Sequence, residues 1–327
     1  MPSAQFSRRT LLASTALFML AGPLARGAST RYPARPVTIV VPFPPGGLTD
    51  NLGRLIADQL SAKTKQSFIV ENKPGAGTLL AALQVAHSKP DGYTLMVATT
   101  TTLSISPTLY KRTSFKPDQL TGVAMLGNVT LILVTRPDFP ADTPTQLVAL
   151  VKQHPGKYTF ASPGNGTGHH LMMELLKAHE KLDMQHIPFQ GSVAAMTSLM
   201  SGNVDFMFLD ASIATPQIQA GKLKALAVSG SEPLDTLPKV PPIMNTFPFM
   251  NLDIWQSIMA PAGTPKDAIE LLNRDINASL QLPSFRKKLA DIGLLARPME
   301  VSALNSFLKK DEASWGSIIK ESGSQVD

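Results

Sequence analysis

Short β-branched, apolar runs alternate along this chain with stretches whose apolar positions recur every three or four residues. Val37-Thr38-Ile39-Val40-Val41 reads as a buried strand. Pro42 to Gly47 breaks it, and Leu52, Leu55, Ile56 and Leu60 then fall on one stripe of a helix. Ser67 to Glu71 predicts a second strand, Gly75-Ala76-Gly77 a turn, and Leu79 to His87 a second helix. Pro90-Asp91-Gly92 turns the chain into a third strand, Tyr93 to Ala98. This βαβαβ order predicts a mainly parallel sheet covered by helices.

The pattern restarts at Leu131 to Val134, a strand. Thr143-Pro144 opens a helix running through Val151, Tyr158 to Ala161 forms a strand, and Leu171 to His179 a helix. Val204 to Leu209, Leu223 to Val228 and the apolar run Trp255 to Ala260 are further strands. Thr264-Pro265 predicts a helix start, with Thr as N-cap and Pro at the first helical position. Two more helices complete the chain. The last, about 302–321, carries Leu304, Phe307, Leu308, Trp315, Ile318 and Ile319 at helical spacing, a packing stripe. Two α/β units follow from this order, with one large sheet as the alternative.

Length and composition narrow the function classes. The chain has 327 residues, 43% hydrophobic and 17% charged, which excludes a mainly disordered protein and fits two domains. It has no cysteine, so disulfides, thiolate metal ligands and a thiol nucleophile are excluded. The net charge of +6 owes three charges to Arg8, Arg9 and Arg26; without them 27 Lys and Arg face 24 Asp and Glu. That balance does not point to nucleic acid. Residues 1–27 read as a cleaved export signal: a basic start ending in Ser7-Arg8-Arg9-Thr10, an apolar stretch from Leu11 to about Leu24, and Ala25-Arg26-Gly27 before cleavage. Ser14, Thr15, Gly22 and Pro23 interrupt the stretch, against a membrane span. The twin arginines fit the Tat route, with Sec as the alternative. The expected location is the bacterial periplasm.

Ligands of open α/β sheets bind where βα loops gather at the strand ends, and two such loops stand out. The first, residues 43–50, contains Phe43, Gly46 and Gly47, with Thr49 or Asp50 placed to cap the following helix. A helix start offers unpaired N–H groups and partial positive charge to an anion; an ordinary capped turn is the alternative. The second, residues 161–168, adds the side chains of Ser162, Asn165 and Thr167. Two such loops from two halves of the chain can grip an anion from both sides. Neither is a nucleotide motif: GxxxxGK[ST] is missing, and Gly75-Ala76-Gly77 has Leu80 where GxGxxG needs glycine.

Ordered pieces along the whole mature chain carry a resemblance. They include Tyr32-Pro33, Val41-Pro42-Phe43-Pro44-Pro45-Gly46-Gly47 with Thr49-Asp50, Glu71-Asn72-Lys73-Pro74-Gly75-Ala76-Gly77, Pro90-Asp91-Gly92-Tyr93, Ala161 to Thr167, Ala220-Gly221-Lys222-Leu223 and Ala260 to Pro265. In order and spacing the sequence resembles the Bug receptors, the substrate-binding proteins of tripartite tricarboxylate transporters. The resemblance implies an α/β, two-lobed periplasmic binding protein, type II-like. Each lobe is a mainly parallel sheet flanked by helices, with the ligand cleft between lobes. It implies crossings near Gly127 and Trp255, so that lobe 1 holds 28–126 plus 255–327 and lobe 2 holds 127–254. It further implies that loops 43–50 and 162–168 pinch a small carboxylate, partly through ordered water, and that the closed form serves membrane subunits of a transporter. A receptor feeding a sensor protein is the alternative partner, and a monomer is the default state.

The sequence departs from the family pattern at four places. Leu48 and Thr78 stand where glycine is common; Phe189-Gln190-Gly191 replaces Tyr-Lys-Gly, losing a cation; and Asp210 lies one place later than the usual acid, which turns its side chain to the other face of a strand and suggests that it reads an amino or hydroxyl group. The expected ligand-binding set is thus Phe43, Gly46, Gly47, Thr49, Asp50, Ser162, Asn165, Gly166, Thr167, Gln190, Gly191 and Asp210. Thr99, from a Thr99–Thr102 run that is either cleft lining or polar loop, and His169 complete it. Loss of the cation leans toward a monocarboxylate or a ligand with an apolar body. His170 and Glu174 lie one helical turn apart without a third metal ligand, so no metal or cofactor is expected. Ser162 or Ser192 with a histidine is the hydrolase alternative. No GxSxG elbow supports it, and no catalytic residue is assigned.

Overall fold

The computed structural model describes residues 32–110 and 112–322. The expected export signal lies outside the described residues. In chain order the elements are β1 (Val37–Val41), α1 (Leu48–Thr64), β2 (Phe68–Asn72), α2 (Leu79–Ala86), β3 (Thr94–Thr99), a π-helical turn (Thr101–Ile105) and α3 (Ser106–Leu109). Next come β4 (Leu120–Val129), β5 (Leu131–Thr135), α4 (Pro144–Gln153), β6 (Thr159–Ser162), α5 (Gly168–Glu180), β7 (Gln185–Pro188), α6 (Ser192–Met200), β8 (Phe206–Asp210), α7 (Ala211–Gln219) and β9 (Lys224–Val228). β10 (Trp255–Pro261), α8 (Lys266–Gln281), α9 (Pro283–Asp291), β11 (Leu294–Ala296) and α10 (Val301–Ser322) finish the chain.

Two sheets form, one per lobe. The first has six strands in the order β11-β4-β10-β3-β1-β2, the second five in the order β7-β6-β8-β5-β9. The expectation of mainly parallel sheets needs correction. In the first, only β1 with β2 and β1 with β3 are parallel, while β10 pairs antiparallel with both β3 and β4, and β11 with β4. In the second, β6 pairs parallel with β7 and β8, but β5 pairs antiparallel with β8 and β9. The cause is connectivity: β4 passes to β5 through the single residue Thr130, so one near-continuous segment enters both sheets. β10 returns late in the chain to fill the gap between β3 and β4.

Alternation along β1 sets the layers. Val37, Ile39 and Val41 pack in the same cluster as Leu52, Ile56 and Leu60 of α1, whereas Val40 packs with Ala81, Ala82 and Val85 of α2 on the other face. The second sheet repeats the arrangement: Phe160, Phe206 and Phe208 meet Leu171, Met172 and Leu175 of α5, while Met207 and Leu209 meet Ala195 and Leu199 of α6. Each fully buried Val, Leu, Ile, Met or Phe among these contributes about 1.5–3 kcal/mol. The N-cap expected at Thr264 moves by one residue. Its hydroxyl donates to the Pro261 carbonyl at 2.8 Å, and α8 is capped by Pro265 instead.

Candidate functional site

A cavity of about 60 Å³ lies between the two sheets. Its lining contains the N-cap residues of five helical segments: Gly47 before α1, Thr100 before the π-turn, Thr167 before α5, Gly191 before α6 and Asp210 before α7. The first N–H groups of a helix lack intrahelical acceptors, and each helix start carries partial positive charge. α1 and α6 begin at glycines without a side-chain cap, which leaves those donors available to a ligand. None of the described residues lining the cavity is Lys or Arg, and Asp210 is its one carboxylate. Phe43, Leu48, Val129, Ile254 and Trp255 supply an apolar wall.

The first loop is held by an acid that does not face the cavity. Asp50, 3% exposed, accepts from Gly46 N at 3.0 Å, from Arg54 Nε at 3.1 Å and Nη2 at 2.9 Å, and from Asn72 Nδ2 at 2.9 Å. Burial pushes the Asp50 carboxyl up, but the bonds from Arg54, Gly46 and Asn72 outweigh it and hold it below the usual carboxylate range. Asn72 Nδ2 also donates to the Phe43 carbonyl at 2.9 Å, which ties the loop to the end of β2. Gly46 and Asp50 thus brace the loop rather than line the cavity, whereas Phe43, Gly47 and Thr49 do line it.

In the second loop Pro163, Thr167 and Gly168 line the cavity, and Thr167 carries the side-chain contacts. Thr167 Oγ1 donates to the Gly164 carbonyl at 2.9 Å and accepts from His170 N at 3.3 Å, capping α5. Ser162 points inward instead: fully buried, it pairs with His186 Nε2 at 2.7 Å and bonds to the Gly164 carbonyl at 3.0 Å. His186 stacks on Phe160 at 4.8 Å and on His170 at 3.9 Å between centroids, and His170 Nδ1 accepts from Gly166 N at 3.2 Å. Burial pushes both imidazoles down, His170 to about 3 and His186 to about 4, so both are neutral near pH 7. Gly166, at φ +73°, lies where a Cβ would stand 2.5 Å from Leu109 of the other lobe. Asn165 is exposed and borders a second cavity of about 270 Å³, beyond Phe43 and Pro44. Ser162, Asn165 and Gly166 therefore do not line the main cavity: Ser162 and Gly166 shape the loop from behind, and Asn165 faces the second cavity. Removing the Thr167 cap is expected to cost about 1 kcal/mol. Thr167→Ala should thus lower the denaturation midpoint modestly and weaken ligand binding; an unchanged midpoint would remove the capping role.

His169, Gln190, Gly191 and Asp210 meet at the cavity, as does Thr99. Asp210 Oδ1 pairs with His169 Nε2 at 3.0 Å and Oδ2 accepts from Ser192 Oγ at 2.5 Å, joining the starts of α5, α6 and α7. Burial raises the Asp210 carboxyl, but the His169 charge and these hydrogen bonds lower it more, so it stays ionised. Each Asp210 oxygen already has one partner within the protein, so its main contact is to the starts of α5 and α6. The departure at Leu48 fills the cavity wall, where its side chain is 2% exposed. Thr78 adopts φ +76°, a strained value for a β-branched residue, and its buried hydroxyl has no partner among the described residues.

Thr100, from the Thr99–Thr102 run, and Ser192 also line the cavity, while Trp255 and Gln256 do so without a local sequence signal. Trp255 N donates to Thr100 Oγ1 at 2.8 Å, and its Nε1 donates to Asp311 Oδ2 at 2.7 Å, an atom shared with Ser104 Oγ at 2.5 Å. Burial pushes the Asp311 carboxyl up. The long C-terminal helix α10 thereby fixes the floor of the cavity. Among the described residues no group of three or more His, Asp or Glu is placed to hold a metal ion.

Comparison with known proteins fits this geometry. Residues 52–324 match the family model described as the tripartite tricarboxylate transporter family receptor. Protein BugT of Bordetella pertussis is 32% identical over 320 residues, covering 97% of this chain and 98% of BugT. The structure of the periplasmic binding protein BugD superposes with a TM-score of 0.84 at 32% identity, covering 90% of this chain and 99% of BugD. The R. palustris protein Rpa4515, solved with adipate, gives a TM-score of 0.87 at 28% identity, covering 90% of this chain and all of that one. The matched family consists of solute-binding proteins rather than enzymes.

Proposed function

The chain belongs to the tripartite tricarboxylate transporter receptor family, and we propose that it captures a small carboxylate in the cavity between its lobes and delivers it to the membrane subunits of such a transporter. One observation carries the reading: five helix starts converge on one cavity whose lining holds no Lys or Arg. An anion buried there must find donors, since leaving it unpaired is costly. The uncapped N–H groups at Gly47 and Gly191 belong to opposite lobes, so one carboxylate gains both sets only when the lobes are closed. Their approach is close: a Cβ on Gly191 would stand 3.4 Å from Pro44. The missing lysine and the apolar wall favour a monocarboxylate or a ligand with an apolar body. The family supports a periplasmic protein, reached through an N-terminal export signal cleaved near Gly27, with a monomer as the default state.

Thermal denaturation against a panel of small carboxylic acids tests this. A ligand at 100 times its Kd adds about 2.7 kcal/mol, which raises Tm by several degrees in a chain of this size. The expected result is a shift confined to one chemical subset of monocarboxylates. Shifts with none of the acids, before and after refolding from denaturant to strip any retained ligand, would overturn the carboxylate reading.

A further inference from the structure

Gln256 stands in β10 at the cavity wall and is 4% exposed. It pairs with Thr99 on one side and Gly127 on the other, and the register with β4 slips between Gln256 and Ser257. Bulges of this kind re-aim a side chain beside functional sites. Gln256 Nε2 donates to Thr49 Oγ1 in the first turn of α1 at 3.0 Å, while no donor among the described residues reaches its buried Oε1. A buried acceptor without a partner is destabilising, and native proteins seldom keep one without use.

We propose that Gln256 is a specificity-determining residue whose Oε1 accepts a hydrogen bond from a neutral hydroxyl on the bound carboxylate. This rests on the carboxylate reading above and narrows it to hydroxy acids. A neutral donor fits better than an ammonium group. An ammonium group brings a full charge and three donors, whereas the unpartnered Oε1 offers a single neutral acceptor, the match for one hydroxyl. A site that hydrogen-bonds a substrate hydroxyl discriminates strongly against the analogue lacking it, because the buried acceptor is then left unpaired.

The test compares matched acids that differ by one hydroxyl: butanoate with 2-, 3- and 4-hydroxybutanoate, and benzoate with the three hydroxybenzoates. Affinities are measured calorimetrically on the whole protein, on Gln256→Met and on Gln256→Leu, with thermal denaturation to confirm that each variant folds. In the unaltered protein at least one hydroxylated acid should bind about tenfold or more tightly than its parent. In both variants that ratio should collapse toward one. If acids bind but no hydroxylated member is preferred, the inference fails while the carboxylate reading stands. If the preference survives in a folded variant, the hydroxyl is read elsewhere and Gln256 is not the determinant. If no acid binds, both readings fall.

Discussion

Asp50→Ala should lower stability by about 2–3 kcal/mol and weaken ligand binding at least tenfold. The carboxylate is almost fully buried and takes four hydrogen bonds, two from Arg54 and one each from Gly46 N and Asn72. Hydrogen bonds to charged groups contribute about 1.5–3 kcal/mol each, but the loss is smaller than their sum. The Arg54 side chain is 51% exposed and rehydrates once released, and the Gly46 amide lies at an exposed turn. The binding loss has a separate origin: without Asp50 the loop from Phe43 to Gly47 loses its anchor to α1 and β2, and the α1 donors no longer hold their position. Asp50→Asn, which keeps two polar atoms in place, should fall between the parent and Asp50→Ala. Denaturant midpoints and calorimetric titration check both effects. An Asp50→Ala protein with unchanged midpoint and affinity would reject the bracing role.

Acid should destabilise the fold well above the carboxylate range. In the native state burial holds His170 at about 3 and His186 at about 4, and a charge on one stacked ring disfavours a charge on the other. In the unfolded chain both titrate near 6.5. The unfolded state therefore binds more protons between pH 6.5 and about 4, and stability falls as pH falls through that window. The loss is expected to be on the order of 3 kcal/mol for each ring by pH 4, since each tenfold difference in proton affinity between the folded and unfolded chain corresponds to about 1.36 kcal/mol. Asp50 and Asp210, whose carboxyls are lowered, act in a separate window: their contribution is present above the ordinary value of 3.8 and is lost only below it. Denaturant midpoints from pH 7.5 to 3 should thus show two phases. Replacing His170 and His186 together with glutamine should flatten the upper phase and spare the lower. A wild-type midpoint that is flat from pH 6.5 to 4.5 would contradict neutral burial of the pair.

Much of this site is legible in local sequence because helix starts leave local marks. The break after Val41, the glycine pairs and the threonine before α5 each signal where a strand hands over to a helix, and all three lie at the cavity. What escapes is set by distant contacts. β4 is hidden because Gly122 and Gly127 read as breakers in a strand. The structure shows why they are there: a Cβ on Gly122 would stand 2.9 Å from Leu304 of α10, and one on Gly127 would collide with the Leu295 carbonyl of β11. The antiparallel place of β10 depends on a return across most of the chain, which no local pattern encodes. Gln256 reads as one polar residue in an apolar strand, and only the bulge and the packing of α1 give its side chain a role. Ser162 misleads for the opposite reason. Its place in a glycine-rich loop matches a ligand donor, but β6 runs through that residue and turns it into the interior toward His186.

The lining without lysine or arginine has a kinetic side. Charged side chains project a field into solvent that draws an ion in and fades as salt rises. Backbone dipoles at helix starts act only within about a turn of the helix end, so this cavity extends little attraction beyond its mouth. Arrival of the anion is then governed by diffusion and by how often the mouth is open, nearly independent of ionic strength. Selectivity rests on how slowly each captured molecule escapes.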